Sequence, residues 1–494
     1  MRHVFRSSPR AVLVFLLFLA ACSGRCRGCP PERHEVSTEA GSQSETAVNV
    51  SNTGGQQVVM VTYNDGSKDP KIQYTATKRT VLAGASLMGF SYSTDGGSSW
   101  TYGGKVKPLA DWPILWGDPA ATSPFNHQNF VFVSNLAVPK AKYPQGGVVS
   151  QGGSNGFYAA IGGACIARST DGGKTFKVFQ CVTNQSHFYD GGSMAASPNG
   201  TVWAAYVDVN LNQIDVWQSP SLGASFSPLP TPFPGKFMVS HPRLRFDAGS
   251  GTLYVAARSS DGSVYLNRLS GLSWQQPIAA TFSSELYPTI QMSDRTLRAG
   301  PQFAFDVGAA SQFEKGDDTI VAEDNVRLLY TRRDPQTGRL YIAGSFCRLD
   351  LSACFDAPEW ATGTEGSLWH RGDTFNPNVR AFPGFIGISP AWRGNYTTRD
   401  SDPGGNKVSL QQGSLAMLPN GARVFLTFPL TDPQVVCSDT RGYWGDYDDL
   451  QFAGVTESLV PRFVRAFTDS FKGCPQRTTY EAREVHTGAA VSPE

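Results

Sequence analysis

One octapeptide constrains this chain more than any other feature. Ser93-Thr94-Asp95-Gly96-Gly97-Ser98-Ser99-Trp100 returns as Ser169-Thr170-Asp171-Gly172-Gly173-Lys174-Thr175-Phe176. A worn copy, Ser219-Pro220-Ser221-Leu222-Gly223-Ala224-Ser225-Phe226, carries Ser221 where the others carry Asp, and a fragment stands at Ser259-Ser260-Asp261-Gly262. The chemistry is that of a tight hairpin turn. Glycine supplies the positive φ, and the Asp carboxylate can accept backbone N–H groups across the turn. The closing aromatic residue starts the next strand and plugs the hairpin base. Ser93, Asp95, Gly97, Trp100, Ser169, Asp171, Gly173 and Phe176 are therefore read as structural, and a chain that repeats a hairpin turn is expected to repeat an antiparallel unit.

The rest of the body agrees. From about residue 56, short runs such as Val58-Val59-Met60-Val61, Val202-Trp203-Ala204-Ala205-Tyr206 and Leu253-Tyr254-Val255-Ala256 are separated by Gly, Asn, Asp and Pro. They are β-branched and aromatic, and turn signals bound them. Charged residues make up 17% of the 494, against roughly 25% in an average domain, while Gly numbers 51 and aromatics reach 12%. That balance disfavours helical bundles, and 40% hydrophobic content disfavours disorder. Several blocks open with a polar residue beside Gly or Pro, then run strand, turn, strand. They begin at Gly117-Asp118-Pro119, Asp190-Gly191-Gly192, His241-Pro242-Arg243, Gly300-Pro301-Gln302, Gln412-Gly413-Ser414 and Gly445-Asp446-Tyr447. Strand, turn, strand, octapeptide, strand is what a four-stranded propeller blade looks like in sequence.

The octapeptide matches the Asp-box, or BNR repeat. With the blade grammar and Tyr443-Trp444-Gly445-Asp446-Tyr447, roughly residues 45–490 resemble the sialidase superfamily of β-propellers. The resemblance implies an all-β, six-bladed β-propeller over 56–490, with seven blades as the alternative. A loop-rich insertion is expected around 308–405. In such a fold the residues heading the innermost strands meet at one channel mouth. Asp118, Asp190, Arg243, Asp446 and Tyr447 are the catalytic candidates, and His241, Gln302 and Gln412 the ligand-binding ones. Acids, an Arg and a Tyr suit an oxygen-rich ligand such as a sugar, since carboxylates bond hydroxyls or move protons and Arg clamps a carboxylate.

Sialidases of this kind hold the substrate carboxylate with three Arg and use a Tyr nucleophile, a Glu and an acid/base Asp. Here the family's Phe-Arg-Ile-Pro motif is absent, and Tyr63-Asn64-Asp65-Gly66 stands in its place. Arg243 is the best substrate-clamp candidate, with Arg79, Arg245 and Arg393 behind it. Three readings stay open: a non-catalytic propeller that binds glycan or protein, a sialidase-like exo-acting glycoside hydrolase, and an envelope scaffold. No cofactor is expected. The scattered His127, His187, His241 and His370 show no zinc spacing. Asp446-Tyr447-Asp448-Asp449 could take Ca²⁺, and Gly152-Gly153-Ser154-Asn155-Gly156 reads as a loop despite its nucleophile-elbow letters.

The N-terminus predicts export. Arg2, Arg6 and Arg10 precede an apolar run from Ala11 to Ala21, too short to span a bilayer. Leu19-Ala20-Ala21-Cys22 resembles a bacterial lipobox, which makes 1–21 a lipoprotein signal peptide and Cys22 the lipidation site. Ser23 is compatible with the outer membrane, and Ser-, Thr- and Gly-rich residues 22–55 are expected as a flexible tether. Losing three arginines turns the formal +1 into −2 (42 basic residues less three, against 41 acidic). That excludes nucleic acid as a partner on charge grounds. The expected partners are the bilayer, through the acyl chains, and a glycan or envelope protein; a monomer is expected. With Cys22 acylated, eight of the nine cysteines remain, and they fall into close pairs: Cys26/Cys29, Cys165/Cys181, Cys347/Cys354 and Cys437/Cys474.

Overall fold

The computed structural model describes residues 33–37, 43–67, 71–74, 79–142, 149–151, 162–183, 188–281, 288–291, 296–298, 303–313, 321–336, 338–356, 374–381, 391–398, 407–417, 423–429, 434–435, 449–455, 461–469 and 486–491. Strands dominate them, and none of their helices is long and apolar enough to cross a membrane. Among the described residues, seven sheets of four or more strands, antiparallel except for the pairing of Ala85–Ser86 with Ile114–Thr122, follow one another along the chain. Their first strands are Gln43–Thr53, Ile114–Thr122, Tyr189–Ala196, Arg243–Asp247, Ala304–Phe313, Thr374–Ala381 and Asp449–Val455. Each first strand packs beside the next, and the last returns to the first, so the sheets form a closed ring.

The closure is not local in sequence. Arg33–Glu35 supplies the outermost strand of the seventh sheet, where it pairs with His486–Val491. The flexible tether expected over 22–55 is corrected where the structure describes it: 33–35 and 43–53 are strands, the latter in a hairpin with Gln56–Asp65 across Gly54-Gly55, while 22–32 and 38–42 lie outside the described residues. The alternation Thr46-Ala47-Val48-Asn49-Val50 carries that strand, hidden in the sequence by its polar neighbours. The loop-rich insertion expected around 308–405 is corrected too. Strands Ala304–Phe313, Val321–Arg333, Leu340–Arg348, Thr374–Ala381 and Ala391–Thr398 occupy much of it and belong to the fifth and sixth sheets.

The core lies between sheets. Val202–Asp208, the second strand of the third sheet, is buried along its whole length. Val202, Ala204 and Tyr206 face the second sheet, while Trp203, Ala205 and Val207 face the fourth. A strand covered on both sides has no polar alternation, which explains the continuous apolar run in the sequence. Each large side chain buried this way contributes about 1.5–3 kcal/mol.

The octapeptides are the turns between third and fourth strands in the first three sheets. Their aromatic residues wedge the sheets together: Trp100 packs against the seventh-and-first-sheet cluster, Phe176 against the first-and-second, Phe226 against the second-and-third. Ser259-Ser260-Asp261-Gly262 is not a further copy. It joins the second and third strands of the fourth sheet, as a plain turn in which Ser263 N–H bonds Asp261 Oδ1 at 2.8 Å. Both pairings Cys165–Cys181 and Cys347–Cys354 are disulfides between directly opposed residues of neighbouring strands. Cys22, Cys26, Cys29, Cys437 and Cys474 lie outside the described residues.

Candidate functional site

The first strands of the first three sheets share a device. Each is broken by a bulge: at Glu45-Thr46, at Asp118-Pro119 and at Gly191. A bulge re-aims side chains that a regular strand would send into the neighbouring sheet. Glu45, Asp118 and Gly191 all have left-handed backbones, with φ of 54°, 56° and 53°. For Gly191 the reason is visible. Its missing side chain leaves room for the His241 ring, with which any β-carbon at 191 would collide.

Hydrogen bonds join the bulges around the ring. Asn64 Nδ2 donates to Glu45 Oε2, and Asn64 Oδ1 accepts the Asp118 N–H at 2.9 Å. Asn135 Oδ1 accepts the Gly117 N–H at 2.9 Å. Gly191 N–H points at Asp118 Oδ2 and at Asp190 Oδ1, each at 3.1 Å. On the next sheet, Ser193 Oγ accepts the Leu244 N–H at 2.9 Å and so fixes the third first strand against the fourth.

The result is a cluster from three successive sheets. One ligating atom each of Asp118, Asp190 and His241 lies within 4.8 Å of the others. The two carboxylates are half-buried and the imidazole is 8% exposed. Two carboxylates and an imidazole can accept hydrogen bonds from hydroxyls, relay a proton, or coordinate a cation. Farther round, Arg245 forms an ion pair with Asp306 of the fifth sheet at 3.3 Å. Arg243 lies two residues before Arg245 on the same strand, and strand periodicity puts both on one face.

Exposed apolar residues lie on the segments around the starts of the third and fourth first strands. The turn after Val202–Asp208 is held between two segments that lead into first strands: Val209 N–H bonds Phe188 O at 2.9 Å, and Met238 N–H bonds Asn212 O at 2.7 Å. Val209, Leu211 and Phe237 are exposed there, Phe237 at 65%. An exposed aromatic beside polar groups is the usual furniture of a sugar site, because ring faces carry C–H surface while hydroxyls need bonding partners.

Of the residues expected at the mouth, the structure thus brings together Asp118, Asp190 and His241, with Arg243 nearby on the fourth first strand. Gln412 is a correction. It lies on Lys407–Met417, the third strand of the sixth sheet, opposite Gly394 and Phe428, and heads no first strand. Its neighbour Gly413 imitated a block start, while the first strand of that sheet, Thr374–Ala381, opens without the signature. Gln302, Asp446 and Tyr447 lie outside the described residues, as does 152–156. Glu45, Asn64 and Asn135 escaped the sequence reading. For Glu45, the hairpin signal Gly54-Gly55 between two alternating runs could have revealed it; for the two asparagines nothing in sequence distinguishes them from strand residues.

Burial, then the neighbouring Asp215 that accepts its hydroxyl at 2.8 Å, push Tyr189 far above the ordinary phenol range. The acids of the octapeptides behave in the opposite way. Burial works against the ionised form of Asp95, yet bonds from the Ser99 hydroxyl and amide and from Ser93 hold its pKa down at about 2.

No family model and no curated relative matches this chain. Solved structures of low identity resemble it. The intramolecular trans-sialidase of Ruminococcus gnavus, in complex with oseltamivir carboxylate, is 10% identical with a TM-score of 0.42, over 81% of this chain and 97% of that one. A leech intramolecular trans-sialidase is 9% identical with a TM-score of 0.41, over 81% and 70%. An α-L-arabinofuranosidase from Fusarium graminearum is 11% identical with a TM-score of 0.39, over 81% and 97%.

Proposed function

We propose that this chain is a seven-bladed propeller of the sialidase-like type that binds glycan at the channel mouth and does not cleave it. The observation that carries the reading is the meeting of Asp118, Asp190 and His241 within 4.8 Å, on the first strands of the second and third sheets and just ahead of that of the fourth. Half-buried acceptors fit hydroxyl-rich ligands better than they fit apolar or anionic ones. The blade count rests on the seven successive sheets and the return of the last first strand to the first. Against cleavage stands the missing Phe-Arg-Ile-Pro motif. Export, acylation of Cys22, attachment to the outer membrane of a bacterial envelope and a monomeric state complete the proposal, supported by the order basic residues, apolar run, small residues, Cys.

The test pairs a glycan array with a panel of sialyl and neutral fluorogenic glycosides. Binding to a defined glycan set, lost in Asp190→Asn and weakened about tenfold in Phe237→Ala, with no turnover, is the expected outcome. Release of fluorophore from any glycoside would replace the binding reading with the hydrolase one. Labelled palmitate entering the wild type and not Cys22→Ser checks the anchor.

A further inference from the structure

We infer that Asp118, Asp190 and His241 together hold one divalent transition-metal ion, whose remaining coordination positions open to the channel and take oxygen atoms of the ligand. The inference rests on the glycan reading for the identity of that ligand, and on the cluster alone for the metal.

Geometry comes first. Metal–oxygen and metal–nitrogen bonds run about 2.0–2.3 Å, so donors on one ion sit about 3 Å apart when adjacent and about 4.5 Å apart when opposed. Mutual separations within 4.8 Å therefore admit an ion after shifts of a few tenths of an ångström. The donors come from three sheets, so none can reach the others through local chain folding. Their placement is fixed by the ring.

The supports around the donors are those a ligating set needs. Asp118 is held through its own N–H by Asn64, and its Oδ2 is oriented by the Gly191 N–H. Such outer contacts fix the direction of a ligand's lone pairs. Gly191 leaves the space into which the His241 ring fits, so the imidazole is seated by a residue chosen for having no side chain.

The donor types select the metal. Two carboxylates and an imidazole suit Mn²⁺, Fe²⁺, Co²⁺ or Zn²⁺, whereas Ca²⁺ sites are built of oxygen alone. Three protein donors leave positions free, as in sites that bind a further ligand rather than purely structural ones. A sugar offering two neighbouring hydroxyls could fill them.

The test titrates the full chain in detergent, stripped with a chelator, with Mn²⁺, Zn²⁺ and Ca²⁺ by calorimetry, and repeats the glycan array on stripped and reloaded protein. One site for Mn²⁺ or Zn²⁺ is expected. His241→Ala and Asp190→Asn should weaken it by about 100-fold or more, beyond the range typical of outer-shell changes. Asp118→Asn is the safeguard against misfolding, because Asn tolerates the left-handed backbone at 118; it too should lose the site while keeping the near-ultraviolet dichroism of the wild type. Absence of a saturable site, binding indifferent to these changes, or binding of Ca²⁺ alone would overturn the inference. Glycan binding that survives stripping also overturns it and leaves the glycan reading intact. A metal site on a chain that binds no glycan overturns the glycan reading instead.

Discussion

Aspartates serve this ring in two opposite ways. Asp171 sits in an outer turn with its carboxylate filled: Ser169 Oγ, Thr175 Oγ1, Thr175 N–H and Lys174 N–H donate to it at 2.6, 2.7, 3.0 and 3.1 Å. Asp95 is held alike by Ser93 Oγ and by the Ser99 hydroxyl and amide. Asp118 and Asp190 sit on bulged inner strands, beside an imidazole and each other. A carboxylate whose lone pairs are used by its own turn has nothing left to offer a ligand. Two that face each other across a single backbone N–H, that of Gly191, meet like charge as well, which a proton, a cation or a hydroxyl would relieve. Residue type is the same; the local backbone decides between scaffold and chemistry.

The contrast can be broken or sharpened by experiment. Removing the Cys165–Cys181 bridge, which closes a 16-residue separation around the second turn, should cost about 3 kcal/mol in urea unfolding. Asp171→Ala should follow, at about 2 kcal/mol, because four donors lose their acceptor and two of them are backbone amides. If it costs no more than a surface change, the turn is not held by its carboxylate.

The worn turn offers the reverse operation. Ser221 replaces the Asp, and the buried Ser219 hydroxyl is left without a partner among the described residues. Ser221→Asp should restore the acceptor and stabilise by about 1 kcal/mol, read as a higher urea midpoint. A drop would mean that Leu222, left-handed at φ 43° where the complete turns carry Gly96 and Gly172, prevents the carboxylate from reaching its donors.

Asp190→Asn should change stability by less than about 0.5 kcal/mol, in contrast to Asp171→Ala. Equal losses from the two would erase the distinction between scaffold and site. The smallest effect is in pH. Asp95 falls from an ordinary 3.8 to about 2 in the folded chain. A depressed carboxylate adds stability that is complete above the unfolded value and fades as pH drops through the folded one. Acid unfolding between about pH 4 and 2 should therefore be less steep in Asp95→Asn than in the wild type.

Much of this was legible along the chain. The octapeptides are hairpin turns, as read, though one strand later in the sheet than the strand, turn, strand, octapeptide order implied, and two cysteine pairs form as their spacing suggested, because a hairpin brings residues a few positions apart into register. Asp118, Asp190 and His241 were legible as polar residues beside Gly or Pro; Asp190 and His241 stand at or just before a strand's start, whereas Asp118 lies in the middle of Ile114–Thr122. Pattern failed where the signal was ambiguous. Gln412-Gly413 looked like a strand head and is mid-sheet. Ser259-Ser260-Asp261-Gly262 shares letters with the octapeptide but joins a different pair of strands. Across 308–405, charged and Gly-rich letters concealed long strands, whose apolar residues need only cover the faces between sheets.

The sequence by itself determined local events: where the chain turns, which cysteines can pair across a hairpin, and that strands dominate the described body. These depend on glycine's φ freedom, side-chain hydrogen bonds over a few residues and apolar alternation. Only the tertiary structure decided that Arg33–Glu35 would close the seventh sheet, that Glu45 would belong to the ring, and that Asp118, Asp190 and His241 would meet. Those contacts join distant parts of the chain and arise from packing sheet on sheet. No residue in them carries a mark of its partner, because the partner is chosen by the closure of the ring.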